Sequence, residues 1–388
     1  MSLRICWLVI SMTSKPQFAR EKVKLGDVCT LVLGQSPISS TCNACGQGLP
    51  FFQGNADFGR INPEATSWCT EPKKIAEPGD ILLSVRAPIG AVNIALEKCC
   101  IGRGVAAIRP NSRIIQTGYL KHVLVSYRSH LETKGTGSTF KAIGKKVLSE
   151  FEIPICSLNG QSQIENQLNQ ILDCIENCKM EIEQLDQLVK SRFVEMFDSI
   201  VDNPKCWQTL PLSIAAPVDY KAFPEEDRVW QLNLDAVESM SGSVFSKTYA
   251  EAAELKGSIG GFDSSQVLYS KLRPYLNKVV VPDSSGVCTT ELLPLSPLEN
   301  VVNKVYLATA LRSSEFVTFA SNHSSGAKMP RIDMKAFRSF ELPIPPLKLQ
   351  QEFADFVAQV DKSGFAVRKQ IKKLQLLYDS LAQEYFGD

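Results

Sequence analysis

One string occurs twice in this chain of 388 residues: FEIPI at 151–155 returns as FELPI at 340–344, a shift of 189 positions. The same shift pairs Gly137 with Gly326, Ile143 with Ile332, Leu158 with Leu347 and Gln161 with Gln350, and it runs without a gap to Phe197 and Phe386. Further upstream the shift becomes 186, laying SVRAP at 84–88 on SKLRP at 270–274, and Leu25 falls near Leu212. A duplication constrains architecture before any single motif does. Each copy of roughly 190 residues has a variable body, a basic loop containing glycine, a short strand flanked by proline, and a helix.

The helix carries the clearest periodicity. Ile164, Leu168, Ile171, Ile175, Cys178, Ile182, Leu185, Val189, Arg192 and Met196 follow a 4,3 spacing that sets nine apolar residues and one arginine on a single seam. Phe353, Val357, Val360, Gly364, Val367, Ile371, Leu374, Tyr378, Leu381 and Tyr385 repeat it, with Gly364 the weak position. Each helix of about 36 residues would run roughly 54 Å at 1.5 Å per residue. Helices of globular domains average only about 11 to 12 residues, so two matched seams are expected to pair in an intramolecular coiled coil. Spacing alone leaves both orientations open.

The bodies read as mixed α/β. Apolar or alternating segments at 80–85, 92–96, 104–108, 266–269 and 278–281 are punctuated by Gly and Pro and predict short strands. Helical patterns occupy 117–130 and 302–319.

Composition narrows the class. A hydrophobic fraction of 44% with 21% charged residues belongs to a folded, soluble chain. No stretch reaches the roughly 18 to 20 apolar residues that a spanning helix needs. The apolar run at 5–10 follows Arg4 like a short signal segment, but no clean small-residue cleavage site comes after it. Residues 1–20 are therefore expected to be an N-terminal extension, with 1–11 lying ahead of a start at Met12. Twelve cysteines in a chain this large suit a reducing compartment better than a disulfide framework. Cys42 and Cys45 form a CxxC, but its only nearby complements are Cys69 and the adjacent Cys99 and Cys100, so structural thiols are expected and no metal.

The formal net charge is only +1, yet it is unevenly spread. Residues 21–160 carry 16 Lys+Arg against 11 Asp+Glu, whereas 161–199 carry 3 against 8, joining a basic lobe to an acidic helix.

The strings closest to catalytic motifs are each incomplete. Asn203-Pro204 and Asn62-Pro63 lack the aromatic platform that a base methyltransferase requires. Gly144-Lys145-Lys146 lacks the hydroxyl and upstream glycine of a nucleotide-binding loop. Asp333-Met334-Lys335 and Glu71-Pro72-Lys73 have the short form of nuclease motifs, but Asp333 aligns with Gly144 and so is not part of the shared repeat. His122, His130 and His323, the only histidines, are expected to be structural or superficial.

The run GDILLSVR at 79–86, the loop GTGSTFK at 135–141 ahead of Ile143, the strand at 151–155 and the QxxI helix start at 161–164 are duplicated in the same order. Together, over about residues 21–388, they resemble the DNA-specificity subunits of type I restriction-modification systems. That resemblance implies an α+β fold in which two mixed α/β target-recognition domains are separated by two long helices. The helices would form an antiparallel intramolecular coiled coil, giving an internal pseudo-twofold repeat. The implied layout is a first recognition domain at 21–160, a spacer helix at 161–199, a second recognition domain at 200–349 and a second spacer helix at 350–388. Each domain would read one half of a bipartite, asymmetric site in double-stranded DNA, while the helices set the spacing and dock methyltransferase subunits. The chain itself would be non-catalytic and carry no cofactor. S-adenosylmethionine, ATP and Mg²⁺ would belong to the methyltransferase and restriction/translocase subunits, and the assembly would be cytoplasmic, with no membrane partner.

Basic, glycine-rich loops hold phosphates, and base readout needs paired donors and acceptors that reach groove edges. Lys134 and Lys141, with the backbone around Gly135, Gly137, Ser138 and Thr139, are the expected phosphate cradle of the first domain. Lys328 and Arg331 beside Gly326 are its counterpart, although Ala327 and Lys328 replace Ser138 and Thr139 there. Gln53, Asn55 and Arg60 sit in a polar loop with Phe51, Phe52 and Phe58 and are candidate base contacts. Arg86 and Arg273 lie beside prolines, one position apart in the repeat alignment, and suit either a groove reader or a structural ion pair. Glu176, Glu181, Glu183 and Asp186 would form a solvated or partner-facing acidic face that repels phosphate. Two competing readings are a coiled-coil scaffold whose lobes bind proteins, and the recognition portion of a fused restriction-methylation enzyme. The missing catalytic motifs disfavour the latter.

Overall fold

The computed structural model describes residues 21–136, 141–255 and 257–387; the expected extension over 1–20 lies outside them. The chain divides into two compact units, one formed by the residues up to Lys179 together with those from Lys369 onwards, the other by Met180–Arg368.

In the first unit, the strand Val105–Pro110 pairs antiparallel with both Cys29–Leu33 and Ile81–Ser84, and Ile81–Ser84 pairs in turn with Val92–Ile94. A second sheet of five short strands places Leu49–Phe52 parallel to Cys99–Ile101. Strands buried on both faces read as unbroken apolar runs. The run at Ile81–Ser84 is buried throughout, and Leu82, Val105 and Ala107 meet Phe52 and Ile101 in one core. The second unit builds an equivalent antiparallel sheet from Val267–Ser270, Val279–Val280 and Leu292–Leu295. A four-stranded sheet of the same unit sets Arg228–Leu232 parallel to Gly286–Thr289.

The helical patterns at 117–130 and 302–319 each resolve into two helices, Thr117–Ser126 with Arg128–Lys134 and Lys304–Arg312 with Ser314–Asn322. The second break has a local cause. Ser313 leaves the helical backbone and its hydroxyl accepts the Phe316 amide at 3.2 Å, capping the next helix.

Repeat-related residues make the same hydrogen bonds in each unit. Gln161 is fully buried; its Oε1 accepts the Gln116 amide at 2.8 Å and its Nε2 donates to the carbonyls of Ile114 and Cys156, both at 2.9 Å. Gln350, equally buried, accepts the Asn303 amide at 2.8 Å and donates to Val301 at 2.9 Å and Pro345 at 2.7 Å. The Tyr119 hydroxyl donates to the Pro154 carbonyl at 3.0 Å, as that of Tyr306 does to Pro343 at 2.8 Å. A lone polar side chain in a core is costly unless its groups are satisfied. The two glutamines satisfy helix-start and loop backbone that would otherwise be orphaned.

Both long helices have 40 residues, Leu158–Phe197 and Leu347–Phe386, each starting three positions ahead of the expected 161 and 350. Each passes from one unit into the other. In the first unit Ile164, Leu168, Ile171 and Ile175 are buried, as are Leu374 and Tyr378, with Ile371 half-buried. The Tyr385 hydroxyl bonds Gln167 there, and Phe386 meets Tyr119 edge-on at 5.6 Å. In the second unit Phe353, Val360 and Val367 are buried, while Ile182, Leu185, Val189 and Val357 are half-buried. There Phe193 and Phe197 pack on Phe353 at 5.5 and 5.4 Å, and Phe197 meets Tyr306 at 4.8 Å. Arg192, the polar residue of the seam, pairs with Glu195 at 2.8 Å and lies 5.8 Å over the Phe356 ring. No helix among the described residues is long and apolar enough to cross a membrane.

Candidate nucleic-acid interface

Three segments of the first unit converge because their backbones are tied together. The turn Gly102-Arg103-Gly104 donates from Gly102 to the Phe52 carbonyl at 2.8 Å and from Gly104 to the Gln53 carbonyl at 3.1 Å. On its other side the Gly104 carbonyl accepts the Val85 amide at 2.9 Å, which places Arg86. Glycine is needed at 104, where a Cβ would lie 2.3 Å from the Gln53 carbonyl oxygen, and a Cβ on Gly102 would be tight at 3.1 Å from the Gln53 Cα. The result is a cleft of about 220 Å³ lined by Gln53, Gly54, Asn55, Arg86, Ala87, Arg103 and Gly104. Arg103 donates its Nε to the Ser36 hydroxyl at 3.1 Å, which orients the guanidinium and leaves its two terminal nitrogens for another partner.

The basic loop borders this cleft. Lys134 ends the helix Arg128–Lys134. Thr136 and Ala142 exchange hydrogen bonds at 3.0 and 2.9 Å, and Ala142 also forms a bridge with Arg86. Gly135 lies so close to Ile89 and Lys141 that a Cβ would meet the Ile89 Cδ1 at 2.7 Å. Gly137, Ser138 and Thr139 lie outside the described residues. Arg86, Arg103, Lys134 and Lys141 are exposed, and none makes an ion pair among the described residues. Of the three residues expected to act together in the polar loop, Gln53 and Asn55 reach the cleft and Arg60 does not. The Arg60 guanidinium pairs with Glu176 of the first long helix at 3.5 Å. Phe51 and Phe52 are buried and anchor the loop from beneath.

The same region of the second unit is built differently. Ser324–Ser325 and Arg331–Ile332 form a hairpin in which Gly326 has φ of 111°, a conformation that favours glycine. Lys328 is exposed. Arg331 is bound by the carboxylate of Glu291, with contacts of 3.0 to 3.1 Å, which holds its guanidinium firmly in the charged form. Arg273 adopts φ of 51°, donates its amide to the Pro330 carbonyl at 2.7 Å and its Nη2 to the Lys328 carbonyl at 3.2 Å. It therefore holds the hairpin. Its counterpart is Ala87, whose amide donates to the Lys141 carbonyl at 3.3 Å, and not Arg86.

Several other polar groups have partners within the core. Asp80 accepts two bonds from Arg109 at 2.8 Å. His122 is buried between Tyr378 and Asn169, both at 2.9 Å, and desolvation pushes its pKa down to about 4. Cys42 faces Cys69 across a strand pair, and burial raises Cys99 and Cys100 to about 12, far from thiolate chemistry. No group of three or more His, Cys, Asp or Glu among the described residues could hold a metal ion.

The model of the type I restriction modification DNA specificity domain matches residues 20–187 and again 278–375, more than half of the chain. The chain belongs to this specificity family. A Methanocaldococcus jannaschii protein assigned as the type I restriction enzyme MjaX specificity subunit is 41% identical over 172 residues, which span 44% of this chain and 40% of that relative. The type I restriction enzyme EcoDI specificity subunit of Escherichia coli is 23% identical over 93% of this chain and 85% of its own length. A crystal structure of the type I restriction-modification S subunit from M. genitalium shares the fold at a TM-score of 0.55 and 16% identity, covering 97% of this chain and 98% of that one.

Two residues of this region were not among those expected from sequence: Arg103, which lines the cleft, and Glu291, which binds Arg331. A single arginine between two glycines reads as a turn. The signal that distinguishes it is its loss in the other copy, where Thr290 stands.

Proposed function

We propose that the chain is the sequence-reading, non-catalytic subunit of a cytoplasmic type I restriction-modification complex. Residues 21–160 and 200–349 would each read one half of a bipartite duplex site. The two long helices would pair antiparallel as an intramolecular coiled coil, with the two copies related by a pseudo-twofold. The observation that carries this reading is the family match, which falls on parts of both repeat copies. The helix pairing is supported within each unit separately: the early first helix meets the late second helix through Gln167 and Tyr385, and the late first helix meets the early second through Phe197 and Phe353. The seams would set the separation of the half-sites, and their outer faces would dock methyltransferase subunits. Those subunits and the restriction/translocase subunits would supply S-adenosylmethionine, ATP and Mg²⁺.

The first domain's uncompensated Arg86, Arg103, Lys134 and Lys141 supply the positive field that duplex DNA requires. The test is retention of duplexes from a randomised library by the purified full chain with its cognate methyltransferase subunits. A sequence reader enriches one split sequence. A protein-binding scaffold enriches none, and that result would remove this reading.

A further inference from the structure

Two copies of one scaffold are most informative where the backbone is the same and the side chains differ. Val85 donates its amide to the Gly104 carbonyl at 2.9 Å, and Lys271 does so to Glu291 at 3.0 Å; Ile143 donates to Val85 at 2.9 Å, and Ile332 to Lys271 at 3.1 Å. These shared bonds fix the correspondence position by position. Arg86 answers to Leu272, Arg103 to Thr290, Gly104 to Glu291 and Ala142 to Arg331. Where folding requires a side chain, both copies keep it, as with Gln161 and Gln350 or Tyr119 and Tyr306. Neither Arg86 nor Arg103 is kept, so the scaffold does not need an arginine at either place. Both nevertheless line one cleft with Gln53 and Asn55.

Building on the DNA-specificity reading above, we propose that Arg86 and Arg103 are base-reading residues of the first recognition domain, each taking the major-groove edge of a guanine. The guanidinium fork matches the O6 and N7 acceptors of guanine with two separate nitrogens in one plane, a geometry that the single ammonium of Lys reproduces less well. Arg103 is already aimed by its Nε bond to Ser36, so the edge that carries the two terminal nitrogens is the free one. Lys134 and Lys141 on the bordering loop are point charges suited to phosphate, which divides the labour between positioning and reading. The second domain presents at the same scaffold place an arginine already bound to a carboxylate, Arg331 on Glu291. The two half-sites are therefore read by different chemistry.

The experiment compares the full chain, assembled with its methyltransferase subunits, with its Arg86→Ala, Arg103→Ala and Arg103→Lys variants on a duplex library randomised on both sides of the gap. Each variant is expected to relax preference at one base pair of one half-site by roughly tenfold to a hundredfold and to leave the other half-site unchanged. Arg103→Lys should weaken the preference although it keeps the charge. Uniform weakening on all sequences, with the salt dependence shallower by about one counterion, would assign these residues to phosphate and overturn the proposal. Unchanged selectivity in the variants would overturn it as well. Absence of any selection by the unmodified assembly would instead remove the DNA-specificity reading beneath it.

Discussion

His122 is held by two hydrogen bonds that suit an uncharged ring: the Asn169 amide oxygen accepts from Nε2, and the Tyr378 hydroxyl donates to Nδ1. Its folded pKa, lowered to about 4 against 6.5, means that the unfolded chain binds the proton more readily. The stabilisation is fully present above about pH 6.5 and is lost as the pH falls towards 4, a change of at most roughly 3 kcal/mol. Urea unfolding of the first unit at pH 7 and pH 5 should show this loss in the native chain and a smaller one in His122→Gln. The buried glutamines give a second residue-scale expectation. Gln350→Leu strands an amide and two carbonyls and should cost about 2–4 kcal/mol, whereas Gln351→Leu, at an exposed neighbour, should stay within about 0.5 kcal/mol by the same denaturation midpoint. Sequence alone marked Gln161 and Gln350 as repeated but not as buried, because a polar residue at a helix start reads equally well as solvated. Arg60 shows what the sequence did not reveal: its polar loop suggested a reader, and the structure adds a carboxylate partner on a helix more than a hundred residues away.

The long helices were the most legible elements, since burial that returns every 3.5 residues leaves the same trace in composition as in structure. The bodies were less so. Strands of two to six residues owe their pairing to distant partners, as with Phe51 beside Cys100, and propensity does not encode a partner. The helical pattern at 304–322 broke at Ser313 because its side-chain cap overrode an otherwise continuous apolar pattern, whereas the one at 117–134 broke at Tyr127 without a side-chain cap. Helix ends supply a direct test of which body each closes. Phe386→Ala should cost about 3–5 kcal/mol and accelerate amide exchange in Thr117–Ser126 while sparing Lys304–Arg312. Phe197→Ala should do the reverse, and hydrogen-exchange mass spectrometry reads both patterns in one experiment.

At the scale of the whole molecule, the spacer role makes a metric prediction. One added heptad in both long helices lengthens each by about 10.5 Å, close to three base pairs of duplex at 3.4 Å each. The preferred gap between half-sites should widen accordingly when the library selection is repeated, and an unchanged gap would count against the spacer role. The duplication made this architecture readable, while the residues proposed to read bases stayed hidden because they are places where the copies diverge. The tie between His122 and Tyr378 spans 256 positions of sequence. The interior around His122 consequently closes only after residues 256 positions further along the chain have been made. During synthesis it must persist on the ribosome with Tyr119 and His122 uncovered, so a nascent chain halted before Tyr378 should be an avid client of holdase chaperones and an easy target for proteases.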